Sequence, residues 1–369
     1  MVKKEVILQV GPVYTEQISG LAISIPNTVR AIHDLGVTIA LVTTAKKGTY
    51  DLNQPYPVFY FKNRNKKIKI IDLPKPYNEP TLIIFNSTYI PAHFALAQEA
   101  IKRGIPYIIT PRGGMNIEAQ KKKKVKKFLG NKLFFEKMVR SSSAIHCLTT
   151  AEEKELKGWQ YQKSFVVGNG INIPKRIPKS KNKKNINFVY LSRKDVYTKG
   201  LDLLLEAIVK TQALLRKENI KIKLYGPGKP SECEYIDTFI KRHGIKDVVE
   251  SHPAVKGEEK KNVLKDTDVF ILTSRHEGHS MAILEALSYG IPCLLSTGTN
   301  SSKEVTNSMA GWEVKLNSQN ISEGLTKVIK DKHKWVKMGE NAKNHALANY
   351  EWSAIANKLI REYTEVSNS

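Results

Sequence analysis

The feature that most constrains this chain is a rhythm. Short, β-branched apolar runs are each followed by a stretch of helical spacing, and the pattern repeats along nearly the whole sequence. Runs at 5–10, 38–43, 57–61, 82–85, 106–109, 144–148 and 165–167 are mostly non-alternating, as expected of strands covered on both faces. Helical stretches at 25–35, 91–103 and 151–157 lie between several of them. A second series follows, with strands near 187–191, 221–225, 269–273 and 291–295. Helices are predicted near 200–217, 232–243, 257–265, 280–289 and 321–330. Strands separated by helices pair in parallel, so the expectation is an α/β chain of two consecutive units.

The stretch 173–185 is rich in Pro, Lys and Asn and lacks periodicity, which marks it as a linker. The expected organisation is therefore a basic N-terminal domain over 1–172, the linker, a second domain over 186–350 and a last helix over 351–369. Two parallel sheets of this kind place ligands at the carboxyl ends of their strands, so a cleft between the domains is the expected site.

With 59 Lys+Arg against 35 Asp+Glu the net charge is +24. Residues 1–180 hold 29 basic and 12 acidic side chains, or +17, leaving 30 and 23, or +7, for the rest. The first half therefore faces something anionic: a phosphorylated substrate, a phospholipid surface or a nucleic acid. Six lysines lie within 121–127, followed by Phe128, Leu129, Leu133, Phe134, Phe135 and Met138. This run suits either a membrane-surface helix or a solvated lysine face with its apolar side packed inward. Nucleic-acid binding is the distant alternative, because no reading motif or stacking platform accompanies the charge.

No run approaches the roughly 18 apolar residues of a membrane span, and the start reads as a buried strand rather than a signal peptide. A cytoplasmic location is expected, with peripheral attachment to the cytoplasmic membrane face as its extension. Cys147, Cys233 and Cys293 have no close spacing and read as core fillers rather than metal ligands or disulfide partners. His93 and His146 read as core or surface residues.

The candidate chemistry falls at strand ends. Arg193 and Lys199 belong to the loop after the first strand of the second half, where an Arg fork and a Lys point charge suit two phosphates. Gly226 lies in the turn Tyr225-Gly226-Pro227-Gly228 and allows close approach of backbone to a ligand. Glu277 follows the 269–273 strand, and Ser280 is placed to cap a helix running to Tyr289. Backbone N–H groups at Gly278, His279 and Ser280, with Met281 next, then form an anion-binding helix start. Glu285 sits on that helix within the apolar stretch Met281-Ala282-Ile283-Leu284-Glu285-Ala286-Leu287. A carboxylate accepts hydrogen bonds only, so it suits paired sugar hydroxyls; the other reading is a structural acid paired with a nearby lysine.

Four segments together resemble the retaining glycosyltransferases of family 4. They are Glu277-Gly278 with Glu285-Ala286 eight positions on, the Arg193 to Lys199-Gly200 loop, Val167-Gly168-Asn169-Gly170-Ile171-Asn172, and Pro111-Arg112-Gly113-Gly114-Met115. The resemblance implies the GT-B fold, two Rossmann-like domains with parallel sheets facing across a cleft. It implies transfer of a hexosyl or N-acetylhexosaminyl group from a nucleoside diphosphate sugar, a UDP-sugar first, with retention and without a metal or other cofactor. By motif match Arg193 and Lys199 clamp the diphosphate, Glu277 holds the donor sugar and Glu285 holds the ribose. Pro253, Ala254 and Val255, with Ser251 and His252, stand where the family holds the base. Arg112, Gly113 and Asn169 fall on the acceptor side, and the final helix crosses back to the first domain.

The sequence departs from that pattern at three places. Of the family's glycine pair before the first helix only Gly20 survives. His279 and Ser280 stand where an aromatic or small residue and a glycine are frequent. Arg112 replaces a histidine and, staying protonated, reads as an acceptor or phosphate contact rather than a base. The resemblance further implies front-face attack, with the leaving diphosphate stabilised by Arg193, Lys199 and the helix start. A saccharide or lipid-linked acceptor in surface polysaccharide or glycolipid assembly is expected, a protein or small-molecule acceptor being the alternative.

Overall fold

The computed structural model describes residues 5–13, 20–44, 53–60, 69–115, 120, 130–174 and 185–368. The chain forms two compact units, Met1–Gly170 together with Trp352–Ser369, and Ile171–Glu351.

In the first unit seven parallel strands, β1 (Val6–Gly11), β2 (Thr38–Thr43), β3 (Val58–Tyr60), β4 (Leu82–Asn86), β5 (Tyr107–Thr110), β6 (Ala144–Cys147) and β7 (Ser164–Val166), lie in the order β3-β2-β1-β4-β5-β6-β7. The helices α1 (Gly20–Asp34), α2 (Pro91–Lys102), α3 (Glu136–Arg140) and α4 (Thr150–Lys154) connect them. Strands β1, β4, β5 and β6 are buried along their whole length, which explains their continuous apolar runs. The C-terminal helix, Trp352–Ser367, lays Trp352, Ile355, Ala356, Leu359, Tyr363 and Val366 into the same core as Ile7, Ile25, Ile39 and Ile84. Its spacing of three and four residues is the amphipathic stripe that makes the helix seek a sheet to cover.

The second unit alternates strand and helix throughout: β8 (Ile186–Leu191), α5 (Leu201–Lys217), β9 (Ile220–Tyr225), α6 (Pro230–Arg242), β10 (Val249–His252), α7 (Gly257–Lys265), β11 (Val269–Leu272), α8 (Met281–Ser288), β12 (Cys293–Ser296), α9 (Ser302–Asn307), β13 (Gly311–Val314), α10 (Ser318–Lys330) and α11 (Trp335–Tyr350). Its parallel sheet runs β10-β9-β8-β11-β12-β13. The order reverses direction between β8 and β11, where Val269 pairs with Phe188 and Phe270 with Val189. Such a reversal is where a crevice forms at the carboxyl ends of the strands in an open parallel sheet.

The apolar runs foretell most strands to within a residue or two. They miss β10 and β13, both at sheet edges. An edge strand needs less apolar surface, and Glu250 and Glu313 interrupt these two. Helices α9 and α11 are likewise unforeseen. Cys147 and Cys293 are buried, Cys233 is half-buried, and none is disulfide-bonded. His93 and His146 are core residues, 1% and 4% exposed, and burial pushes both imidazoles down to about 4.

Candidate active site

In the second unit the loop after β8 and the loop after β11 are tied to one another at the switch point. Arg275 makes a two-pronged ion pair with Asp202 at 2.7 and 2.7 Å, and its guanidinium lies 4.2 Å from the centre of the Tyr197 ring. The Arg275 amide donates to the Thr198 carbonyl at 3.0 Å. The close approach is possible because Gly200 (φ +63) and Gly226 (φ +154) carry no side chain. A Cβ at Gly226 would overlap the Ser192 carbonyl oxygen, and one at Gly200 that of Thr273.

Within this frame the Lys199 ammonium donates to Glu277 Oε1. Both are nearly buried, with side chains 7% and 12% exposed. Ser274 Oγ donates to the same carboxylate oxygen at 2.9 Å. The Glu277 backbone is held by its N–H to the Gly298 carbonyl at 2.9 Å and by Asn300 Nδ2 on its own carbonyl at 2.7 Å. The residue predicted to clamp phosphate and the residue predicted to hold the sugar are thus direct partners. Arg193 is exposed on the same loop, and its carbonyl accepts from the Tyr190 hydroxyl at 2.5 Å.

Helix α8 begins one residue after Ser280, whose side chain makes no capping bond. The N–H groups of the first turn therefore keep their donors for another acceptor. Gly278 and Ser280 are half-buried and Met281 buried. His279 is 8% exposed and its ring sits 5.3 Å from that of Tyr350. The hydroxyl of Tyr350 donates to Glu304, which also bonds His345 at 2.8 Å. His279 is held by packing from behind. Glu285, on α8, pairs with Lys260 of α7. Burial raises the Glu285 carboxyl and Lys260 opposes that rise.

Beside β10 the segment 253–255 continues from a strand end rather than an isolated loop. Lys194, which sequence reasoning passed over as one lysine among many, is 4% exposed. Its ammonium donates to Ser251 Oγ at 2.8 Å and to the His252 carbonyl at 2.6 Å. Its own amide bonds the Pro227 carbonyl at 2.7 Å. Lys194 so joins the loops after β8 and β9 to the end of β10. Pro253 has no N–H, so the backbone donors of 253–255 are the amides of Ala254 and Val255.

In the first unit Arg112 adopts φ +52 and turns its guanidinium inward. Nε and Nη2 donate to Asn86 Oδ1 at 3.1 and 3.0 Å, and Nη1 to Ser24 Oγ at 2.9 Å and Asn169 Oδ1 at 3.3 Å. Asn86 Nδ2 donates in turn to Gln9 Oε1 at 2.6 Å, and Gln9 Nε2 to the Tyr363 hydroxyl at 3.3 Å. The Gly113 amide donates to Glu152 Oε1 at 2.5 Å and the Leu148 amide to Oε2 at 2.8 Å. Arg112 and Asn169 are brought together, and the guanidinium spends its donors on neutral protein oxygens. Burial lowers its pKa to about 10. Gly20, exposed, opens α1.

The lysine run 121–127, with Phe128 and Leu129, lies outside the described residues. Of its predicted apolar side, Met138 is buried in the core. Phe135 stacks edge-on with Tyr89 at 4.6 Å, and Phe134 is 44% exposed. Among the described residues no helix is long and apolar enough to cross a membrane, and no group of three His, Cys, Asp or Glu side chains is placed to hold a metal.

Residues 172–345 match the family described as glycosyl transferases group 1. An uncharacterized glycosyltransferase of Methanocaldococcus jannaschii is 25% identical over 206 residues, 56% of this chain and 51% of that protein. An Escherichia coli UDP-Gal:alpha-D-GlcNAc-diphosphoundecaprenol alpha-1,3-galactosyltransferase is 40% identical over 72 residues, 19% of each chain. The chain thus spans about half the length of the first of these relatives and about a fifth of the second. The Anabaena protein HepE, solved with UDP and glucose, superimposes with a TM-score of 0.75 at 17% identity, covering 97% of this chain and 99% of HepE. Both Rossmann-like units, with their parallel sheets and flanking helices, thereby match the GT-B fold.

Proposed function

We propose that this chain, whose second unit carries the group 1 glycosyltransferase sequence, transfers a hexosyl or N-acetylhexosaminyl group with retention from a nucleoside diphosphate sugar, a UDP-sugar first. The observation that carries the reading is the Glu277–Lys199 pair at the β8/β11 switch point, one loop from the start of α8. A diphosphate entering there meets Lys199, Arg193 and the first-turn N–H groups of α8, a set that favours negative charge. Glu277, with Lys199 then shared with the diphosphate, accepts hydroxyls of the donor sugar. Glu285 accepts those of the ribose, and the base lies along Pro253, Ala254 and Val255.

In this reading the leaving diphosphate gathers charge as the glycosidic bond breaks, and Arg193, Lys199 and the helix start stabilise it in place of a metal. Its oxygen takes the acceptor proton on the face of departure, which retains configuration. The acceptor is a saccharide or lipid-linked saccharide of surface polysaccharide or glycolipid assembly. Support comes from the +17 first half and from the E. coli relative, whose name states a diphosphoundecaprenol-linked acceptor. Attachment to an anionic leaflet through the lysines of 121–127 belongs to the same reading, at about 1 kcal/mol for each lysine near the surface.

The test is a thermal-shift screen of UDP-, GDP- and ADP-sugars followed by calorimetry on two variants. Glu285→Gln should weaken free nucleotide, whereas Glu277→Gln should leave it nearly unchanged and collapse turnover. Both variants binding nucleotide like the parent, or both losing it, overturns the assignment. Vesicles containing phosphatidylglycerol should bind the protein at low salt and release it at high salt. Indifference to them removes the membrane part alone.

A further inference from the structure

Glu285 raises a question that its own helix does not answer. Its neighbours Met281, Ile283, Leu284, Ala286 and Leu287 are all buried, and its carboxylate is met by Lys260 Nζ at 2.5 Å. The two side chains are 14% and 22% exposed. On α7 the outward lysines Lys261 and Lys265 are taken by Glu258, while Lys260 reaches inward. Such a pair gives little net stability, since apolar residues of similar volume would hold α7 against α8 at least as well. Its second carboxylate oxygen, Oε2, makes no hydrogen bond among the described residues.

We propose that Lys260 is a positioning residue for the donor nucleotide, pinning the Glu285 carboxylate through Oε1 and keeping it charged so that it accepts from the ribose hydroxyls. The inference rests on the ribose-holding role proposed for Glu285. A protonated carboxyl would carry a hydrogen of its own and could not accept from two vicinal hydroxyls in the same way. Burial favours that neutral form, and Lys260 is the group that opposes it. The other titratable groups around α8 are poorly placed to do so. Tyr289, one turn on, and the Cys293 thiol of β12 are both pushed upward by burial and stay neutral. Glu258 and Lys261 of α7 act on Tyr289, and no charged group of α11 acts on Glu285.

The probe is UDP-glucose, with GDP-mannose and ADP-glucose as alternates carrying the same ribose. Their esterified diphosphates do not titrate between about pH 5.5 and 8.5. Calorimetry across that window compares the parent with Lys260→Met, Lys260→Arg and Glu285→Gln. The parent and Lys260→Arg should bind with little pH dependence. Lys260→Met should lose about tenfold or more at the acid end and recover toward the parent as pH rises, because burial then raises the Glu285 carboxyl unopposed and acid favours its neutral form. Glu285→Gln should bind weakly at every pH. Lys260→Met that matches the parent, or is weakened equally at all pH, overturns the positioning role while a weak Glu285→Gln still upholds the ribose contact. Glu285→Gln binding like the parent overturns the ribose reading itself, and a parent that binds none of the three probes overturns the donor reading with it.

Discussion

Replacing Lys199 with Met leaves the Glu277 carboxylate 12% exposed, with Ser274 as its remaining side-chain donor. Unit charges about 4 Å apart attract by about 4 kcal/mol at an effective dielectric of about 20. Removing one member of a buried pair costs about 3–5 kcal/mol, because the other charge stays behind uncompensated. Ser274 keeps one hydrogen bond to the carboxylate, so the lower end, about 3 kcal/mol, is expected. For a folding unit of roughly 150–250 residues each kcal/mol moves the midpoint by about 2–4 °C, so the second unit's transition should fall by about 6–12 °C. Adding Glu277→Gln to Lys199→Met removes the stranded charge and should return about 2 kcal/mol of the loss. Differential scanning calorimetry of the four proteins of this cycle, without nucleotide, reads the coupling directly. A Lys199→Met transition within about 2 °C of the parent, or a double variant no more stable than the single one, would refute the pair as a formed and costly contact.

Three further outcomes follow from other parts of the molecule. His93 and His146 are held near 4 when folded, against 6.5 for the free side chain. The unfolded chain therefore binds more protons between those values, and this stability is complete above about pH 6.5 and lost as pH falls toward 4. Melting curves of the parent and His146→Gln should differ in slope over that window, and equal slopes contradict the assignment. Arg112→Lys cannot span Asn86, Ser24 and Asn169 with one ammonium. It should cost about 1.5–3 kcal/mol for each charged hydrogen bond lost, seen as a lower first-unit transition by calorimetry. Trp352, 8% exposed in the first unit's core, should cost about 3–5 kcal/mol when changed to Ala, and denaturant melts showing less than about 1 kcal/mol would place that ring outside the core.

The sequence by itself determined the class of fold, because a parallel strand buried on both faces is apolar at nearly every position. Val6–Gly11 and Leu82–Asn86 could be read directly for that reason, whereas the edge strands Val249–His252 and Gly311–Val314 could not. It also placed Glu277, Arg193 and Lys199 in strand-end loops and Glu285 on the helix that follows, since capping and chain reversal are local. Pairing is not local. That Lys199 meets Glu277 across 78 positions, that Lys260 rather than its neighbours meets Glu285, and that Lys194 closes on the His252 carbonyl all depend on which strands lie side by side. A lysine-rich chain offers many equivalent cations, and only the order β10-β9-β8-β11 brings three of them under the loops. Arg112 follows the same logic, because its motif named a ligand contact while β4, α1 and the segment after β7 supplied Asn86, Ser24 and Asn169 as acceptors.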